Sequence, residues 1–105
     1  MSADAPAPGL LDPRRSVLLV VDVQEKLVPA IPDHDAVIDR TGRLIDAAKR
    51  LDIPVAASEQ YPRGLGHTVE PLRERLAPGA RIEKNTFDAL RASEVRRWLD
   101  RKSVV

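Results

Sequence analysis

The sequence predicts an α/β fold, a three-layer sandwich around a parallel sheet. Val17 to Val21 is an unbroken run of five branched aliphatics, and a run without alternation suits a strand covered on both faces. A stretch of helical period follows over 35–52, and Val55–Glu59 is a second short apolar run. Strand, loop, helix, strand is a βαβ unit, whose crossover is right-handed and whose strands are parallel.

The chain has 105 residues, enough for one domain or part of one. Hydrophobic residues make up 43% and aromatic ones only 3%, so the expected core is aliphatic. Net charge is +1 with both signs interspersed. That balance gives no electrostatic reason to expect nucleic acid or an anionic membrane as partner. No apolar run has the length of a transmembrane helix. Residues 1–13 are rich in Ala and Pro and lack both an apolar signal-peptide core and an Arg-rich transit pattern. They read as a flexible tail, and the default location is cytoplasmic. There is no cysteine. Disulfides, cysteine metal sites and a thiol nucleophile within these residues are thereby excluded.

The first strand runs into Asp22. In open α/β sheets the carboxyl edge is where ligands bind, although a solvated Asp ending a strand fits the pattern equally well. Pro29 and Pro32 mark a loop over 25–33. In the helix that follows, Val37, Thr41, Leu44, Ile45, Ala48 and Leu51 share one face. Asp33 or Asp35 is positioned to cap it, Lys49 and Arg50 complement its dipole, and Pro54 stops it. After the second strand, Gln60–Thr68 reads as a loop broken by Pro62, Gly64 and Gly66. Thr68 then caps a helix over 69–76, with Pro71 in its first turn. Pro78-Gly79 turns the chain into a brief third strand, Ala80–Lys84. Ser93 caps a last helix to about Arg101, in which Trp98 is a packing residue. Ser103–Val105 resembles the first residues of a fourth strand, which makes the chain read as C-terminally truncated.

Several chemistries are a poor fit. Gly64-Leu65-Gly66 lacks the third glycine of a dinucleotide loop and follows the wrong strand. Gln24 stands where a dehalogenase-type phosphatase carries a second Asp. A receiver domain's acidic magnesium-binding pair is missing too. His34 and His67 are far apart, without metal-ligand spacing, and read as solvated loop residues. Lys84 is more informative, because the fold carries it to the same sheet edge as Asp22. A carboxylate beside a lysine can take a proton from a nucleophile and stabilise the resulting anion. A salt bridge closing a strand end accounts for the same spacing.

Three stretches resemble one family. Leu18-Leu19-Val20-Val21-Asp22-Val23-Gln24, then Ser58-Glu59-Gln60-Tyr61-Pro62-Arg63-Gly64-Leu65-Gly66, then Glu83-Lys84-Asn85-Thr86-Phe87-Asp88-Ala89 are similar to the isochorismatase-like hydrolases, the cysteine hydrolase superfamily. The likeness runs from about Arg15 to Val105. It implies the Rossmann-like isochorismatase fold, with residues 14–105 as the N-terminal part of the domain. It also implies an Asp-Lys-Cys triad, in which Asp22 matches the base and Lys84 the lysine. The family's cysteine lies after a fourth strand, past the end of this chain. In that mechanism the thiolate attacks a carbonyl carbon, commonly of an amide, and the thioester is then hydrolysed. The zinc-binding Asp-x-His-x-x-His cluster of the superfamily's nicotinamidases is not matched at Glu59-Gln60-Tyr61.

The resulting expectation is a hydrolase of small-molecule substrates with no metal or cofactor, no nucleic-acid or membrane partner, and a possible homo-oligomeric state. Gln24, Leu27, Tyr61 and Phe87 are expected in the substrate pocket because they flank the strand ends. Lacking the thiol, the chain is expected to be inactive by itself. The competing expectation is a non-catalytic remnant or interaction module of the same fold.

Overall fold

The computed structural model describes residues 11–85 and 92–102. Its centre is a sheet of three parallel strands in the order β1-β2-β3: β1 (Leu18–Val21), β2 (Val55–Gln60) and β3 (Arg81–Lys84). Leu18 pairs with Val55 and Val21 with Ser58, while Gln60 pairs with Lys84. The ladders run on past the strand ends, through Asp22 N–H to Ser58 O at 3.1 Å and Tyr61 N–H to Lys84 O at 3.1 Å. The residues at issue therefore leave the sheet together at its carboxyl edge.

The crossover between β1 and β2 is α1 (His34–Arg50). Its buried side is Gly42, Ile45 and Ala48, with Ile38 packed against the same cluster as Val20, Val28, Ala57, Val69 and Leu72. Each large aliphatic side chain buried there contributes about 1.5–3 kcal/mol. Ile45 and Ala48 belong to the face the sequence predicts, but Val37, Leu44 and Leu51 of that face prove exposed. The helix is rolled so that Gly42 meets the short helix α3 (Glu70–Arg73) and its C-terminal extension. A Cβ at Gly42 would come within 3.0 Å of the Arg75 guanidinium carbon. Asp33 occupies the N-cap position with φ 53°, but its side chain makes no capping hydrogen bond. His34 opens the helix and lies 3.2 Å from Asp35 Oδ1, so it is not a loop residue.

The segment after β2 departs furthest from expectation. Instead of an irregular loop it contains a one-turn helix, α2 (Pro62–Leu65), and an antiparallel bridge between Thr68 and Gln24. Glu25 N–H donates to His67 O at 2.9 Å, Lys26 N–H to Leu65 O at 3.0 Å, and Val69 N–H to Val23 O at 3.0 Å. The expected helix over 69–76 is confined to α3. Its N-cap is Val69, and Thr68 is engaged elsewhere. Gly79, at φ 79°, supplies the turn into β3. The last helix, α4 (Ser93–Lys102), buries Val95 and Trp98 and packs against β3. The expected fourth-strand residues, 103–105, and Phe87 lie outside the described residues.

Candidate active site

Alternation along the strands sets what points where. Ala57 and Val20 turn toward α1, so Ser58, Gln60 and, by register, Lys84 turn to the opposite face. Asp22 joins them because its backbone leaves the strand in the left-handed region, at φ 56°. Asp tolerates that region better than most residues, and non-glycine residues held there cluster at functional sites.

The Lys84 ammonium donates to Asp22 Oδ2 at 2.8 Å and to Gln60 Oε1 at 3.1 Å. The Ser58 hydroxyl donates to Asp22 Oδ1 at 3.0 Å. Lys84 is inaccessible, its side chain 0% exposed, whereas that of Asp22 is 19% exposed. The pair is thus anchored at the lysine and open at the carboxylate. A carboxylate held this way can accept a proton from a neighbouring nucleophile, with an ammonium alongside for the anion that forms.

Among the other expected site residues, Gln24 is fully buried and hydrogen-bonded to the scaffold at both ends of its amide. Nε2 donates to Gln60 O at 3.0 Å and Gly66 O at 2.7 Å, and Oε1 accepts from Gln60 N–H at 2.7 Å. It ties the chain after β1 to the end of β2, whatever it does for a substrate. Leu27 is half-buried and precedes a 3₁₀ turn, Val28–Ala30. Tyr61 is exposed, with φ 40°, directly after β2. Ser58 and Gln60 were missed as site members. The one available signal was polarity at the end of an otherwise apolar strand.

Glu59, next in the strand, faces the other way into a buried network. Its Oε2 accepts from Thr68 N–H at 2.7 Å and Thr68 Oγ1 at 2.8 Å, and its Oε1 lies 3.1 Å from His67 Nδ1. Arg81 lies 3.8 Å away. Burial, the largest single influence, pushes the Glu59 carboxyl up. The hydrogen bonds from Thr68 and His67, with the Arg81 charge, outweigh it and hold the group below its ordinary 4.5. His67 is therefore a partner of a buried carboxylate and not simply solvated. Glu59 also explains why a glutamate and a threonine flank the Gly64/Gly66 turn: the carboxylate closes it. A depression of about 160 Å³ opens beside this network, between Glu59, His67 and Arg81. Asp22 and Lys84 are not part of its wall. Among the described residues no group of three or more His, Cys, Asp or Glu is arranged to hold a metal ion.

A parallel sheet that delivers an Asp and a Lys to one edge, with a βαβ crossover behind them, defines an α/β domain with an ion pair at the sheet edge where open α/β folds bind ligands. The chain belongs to the isochorismatase family. The Isochorismatase domain model matches residues 16–105. "Isochorismatase domain-containing protein 2" of Danio rerio is 45% identical over 67% of this chain and 36% of its own length. The protein of the same name in Pongo abelii is 37% identical over 87% of this chain and 45% of its own. A solved structure, the MAR1 ribonuclease of Caenorhabditis elegans, superposes with a TM-score of 0.74 at 38% identity, covering 86% of this chain and 47% of that one. The chain thus spans less than half the length of each of these three. No helix among the described residues is long and apolar enough to cross a membrane.

Proposed function

We propose that this chain carries the acid–base half of a hydrolytic site acting on a small carbonyl compound. Asp22 is the general base, and Lys84 stabilises the thiolate or oxyanion. The observation that carries this reading is the 2.8 Å contact between an inaccessible ammonium and a carboxylate that keeps one side open. The 105 residues contain no cysteine, so the thiol of the family triad has to come from outside them, and the chain alone does not turn over. Gln60 holds the lysine and Ser58 the carboxylate. Tyr61, which directly follows β2, and Leu27 are assigned to substrate contact, as is Phe87, which lies outside the described residues. The chemistry needs neither metal nor cofactor, and the protein works in the cytoplasm.

The second reading, an interaction module, is favoured by β1, which among the described residues pairs with β2 alone. One experiment separates the two. This chain is fused to the portion of the Pongo abelii relative that it does not span. The fusion is then assayed against small amides and esters and, because the solved relative is a ribonuclease, against an RNA oligonucleotide. Turnover of a small carbonyl substrate that is lost in Asp22→Asn and in Lys84→Met supports the hydrolase. Turnover indifferent to both substitutions, or none at all, contradicts it, and cleavage of RNA alone replaces the small-molecule reading.

A further inference from the structure

The opposite edge of the sheet carries a second, larger depression, of about 430 Å³, where β2 begins. Its floor is Ile53-Pro54-Val55, and its rim brings together Lys49, Arg75, Lys102 and Asp52. The three cations come from three separate places: the last turn of α1, the extension of α3, and the end of α4. Their charges are not equally answered. Arg75 Nε lies 3.2 Å from both oxygens of Asp46, which neutralises it. Lys49 Nζ donates to the carbonyl of Arg75 at 3.1 Å, which fixes the ammonium in place but leaves its charge uncompensated. Lys102 makes no ion pair among the described residues. Among the described residues Asp52 is the single carboxylate of the rim, and it offsets part of the positive charge there.

Lys49 and Lys102 are both exposed and bring two positive charges to one concave surface, which favours an anion there. A bound anion gains charge-assisted hydrogen bonds from the Lys49 ammonium, already held in position, and from Lys102. The volume is in the range that small organic ligands occupy, and an apolar floor with a few placed polar groups is the usual composition of such sites. Pro54 stiffens the floor through its fixed backbone angle. It also presents an apolar surface on which a ring or alkyl group can lie.

We propose that this cleft binds a phosphomonoester. The phosphate sits between Lys49 and Lys102, and its organic group lies against Ile53-Pro54-Val55. The site is distinct from the Asp22–Lys84 pair, at the other end of β2, and does not depend on the hydrolytic reading.

The test is a titration of the ¹⁵N-labelled chain with phenyl phosphate, followed through backbone amide shifts. Inorganic phosphate, and sodium chloride at matched ionic strength, serve as separate arms. Binding is expected to saturate with a dissociation constant of about 1 mM or below, with shifts concentrated at residues 49, 52–55 and 102. Phenyl phosphate should bind more tightly than inorganic phosphate, since only it uses the floor. Lys102→Gln, an exposed helix-end substitution that leaves the fold intact, should weaken binding about fivefold, the change expected of one partly exposed ion pair. Lys49→Gln should weaken it at least as much. Shifts that chloride reproduces overturn the proposal, as do shifts that fail to saturate or affinity unchanged in both variants. Equal affinity for the two phosphates overturns the role of the apolar floor.

Discussion

The Asp22–Lys84 pair should respond asymmetrically to loss of either member, and the difference can be worked out from exposure. Asp22→Asn keeps the side chain's shape and tolerates the left-handed backbone at φ 56°, so the charge alone is removed. It leaves the Lys84 ammonium at 0% side-chain exposure, with Gln60 Oε1 at 3.1 Å among its remaining partners. Removing one partner of a buried ion pair costs about 3–5 kcal/mol, a large share of the roughly 5–15 kcal/mol by which a domain is stable. Lys84→Met, in contrast, leaves a carboxylate that is 19% exposed and keeps the Ser58 hydroxyl at 3.0 Å. Water can take the place of the ammonium there, and the cost falls to about 1–2 kcal/mol. The double variant Asp22→Asn/Lys84→Met removes both charges and should regain much of what Asp22→Asn loses, a strongly non-additive cycle. Trp98, buried and the sole tryptophan, reports unfolding in urea by its fluorescence. A Lys84→Met chain as unstable as Asp22→Asn, or a double variant equal to the sum of the singles, would refute the reasoning that the lysine is the buried partner.

Further outcomes follow from the segment after β2. The Glu59 carboxyl is held below 4.5 in the fold. Its contribution is therefore complete above the unfolded value and is lost as pH falls through the folded one. Glu59→Gln should flatten the acid limb of a stability-versus-pH curve below about pH 4.5 and leave its neutral limb parallel to the parent's; an unchanged acid limb counts against the assignment. Gln24→Leu leaves Gln60 N–H and two carbonyls without their partner. It should cost about 3 kcal/mol and speed amide hydrogen exchange across 61–68 before the rest of the chain. Gly66→Ala puts a Cβ at φ 81° and 3.0 Å from Glu25 Cβ, and should destabilise by about 1 kcal/mol or more, measured by the same urea transition.

Much of this architecture is legible in the sequence because it rests on local pattern. The aliphatic run before Asp22 is a strand for the reason its composition suggests, and the helix and short strand that follow complete the parallel crossover. The spacing that carries Lys84 to the edge shared with Asp22 follows from that topology alone. The rolled face of α1 could not be read in the same way. Ile45 and Ala48 are buried as their period suggests, but Val37, Leu44 and Leu51 share that period and lie exposed. The roll goes with the close approach of Arg75 to Gly42, a contact between residues 33 positions apart in the chain. The pairing of 23–26 with 65–69 was hidden for a similar reason. It depends on a buried glutamine amide and a buried carboxylate, and a single Gln or Glu in a sequence carries no mark of being inaccessible. Ser58 was passed over because a serine late in a strand reads as an ending, whereas its hydroxyl is spent on orienting Asp22.

Joint activation of a thiol by Asp22 and Lys84, as proposed, is tested most directly with a thiol supplied from solution. The purified chain is incubated with a p-nitrophenyl carboxylic ester and increasing 2-mercaptoethanol, and release of p-nitrophenol is followed against chain-free and thiol-free controls. In this transfer the thiol proton goes to Asp22, sulfur bonds to the carbonyl carbon, and p-nitrophenolate leaves, giving a thioester that water then hydrolyses. The expected result is a thiol-dependent rate above the chain-free reaction, lost in both Asp22→Asn and Lys84→Met. A rate no faster than the chain-free control, or one that survives both substitutions, would contradict it.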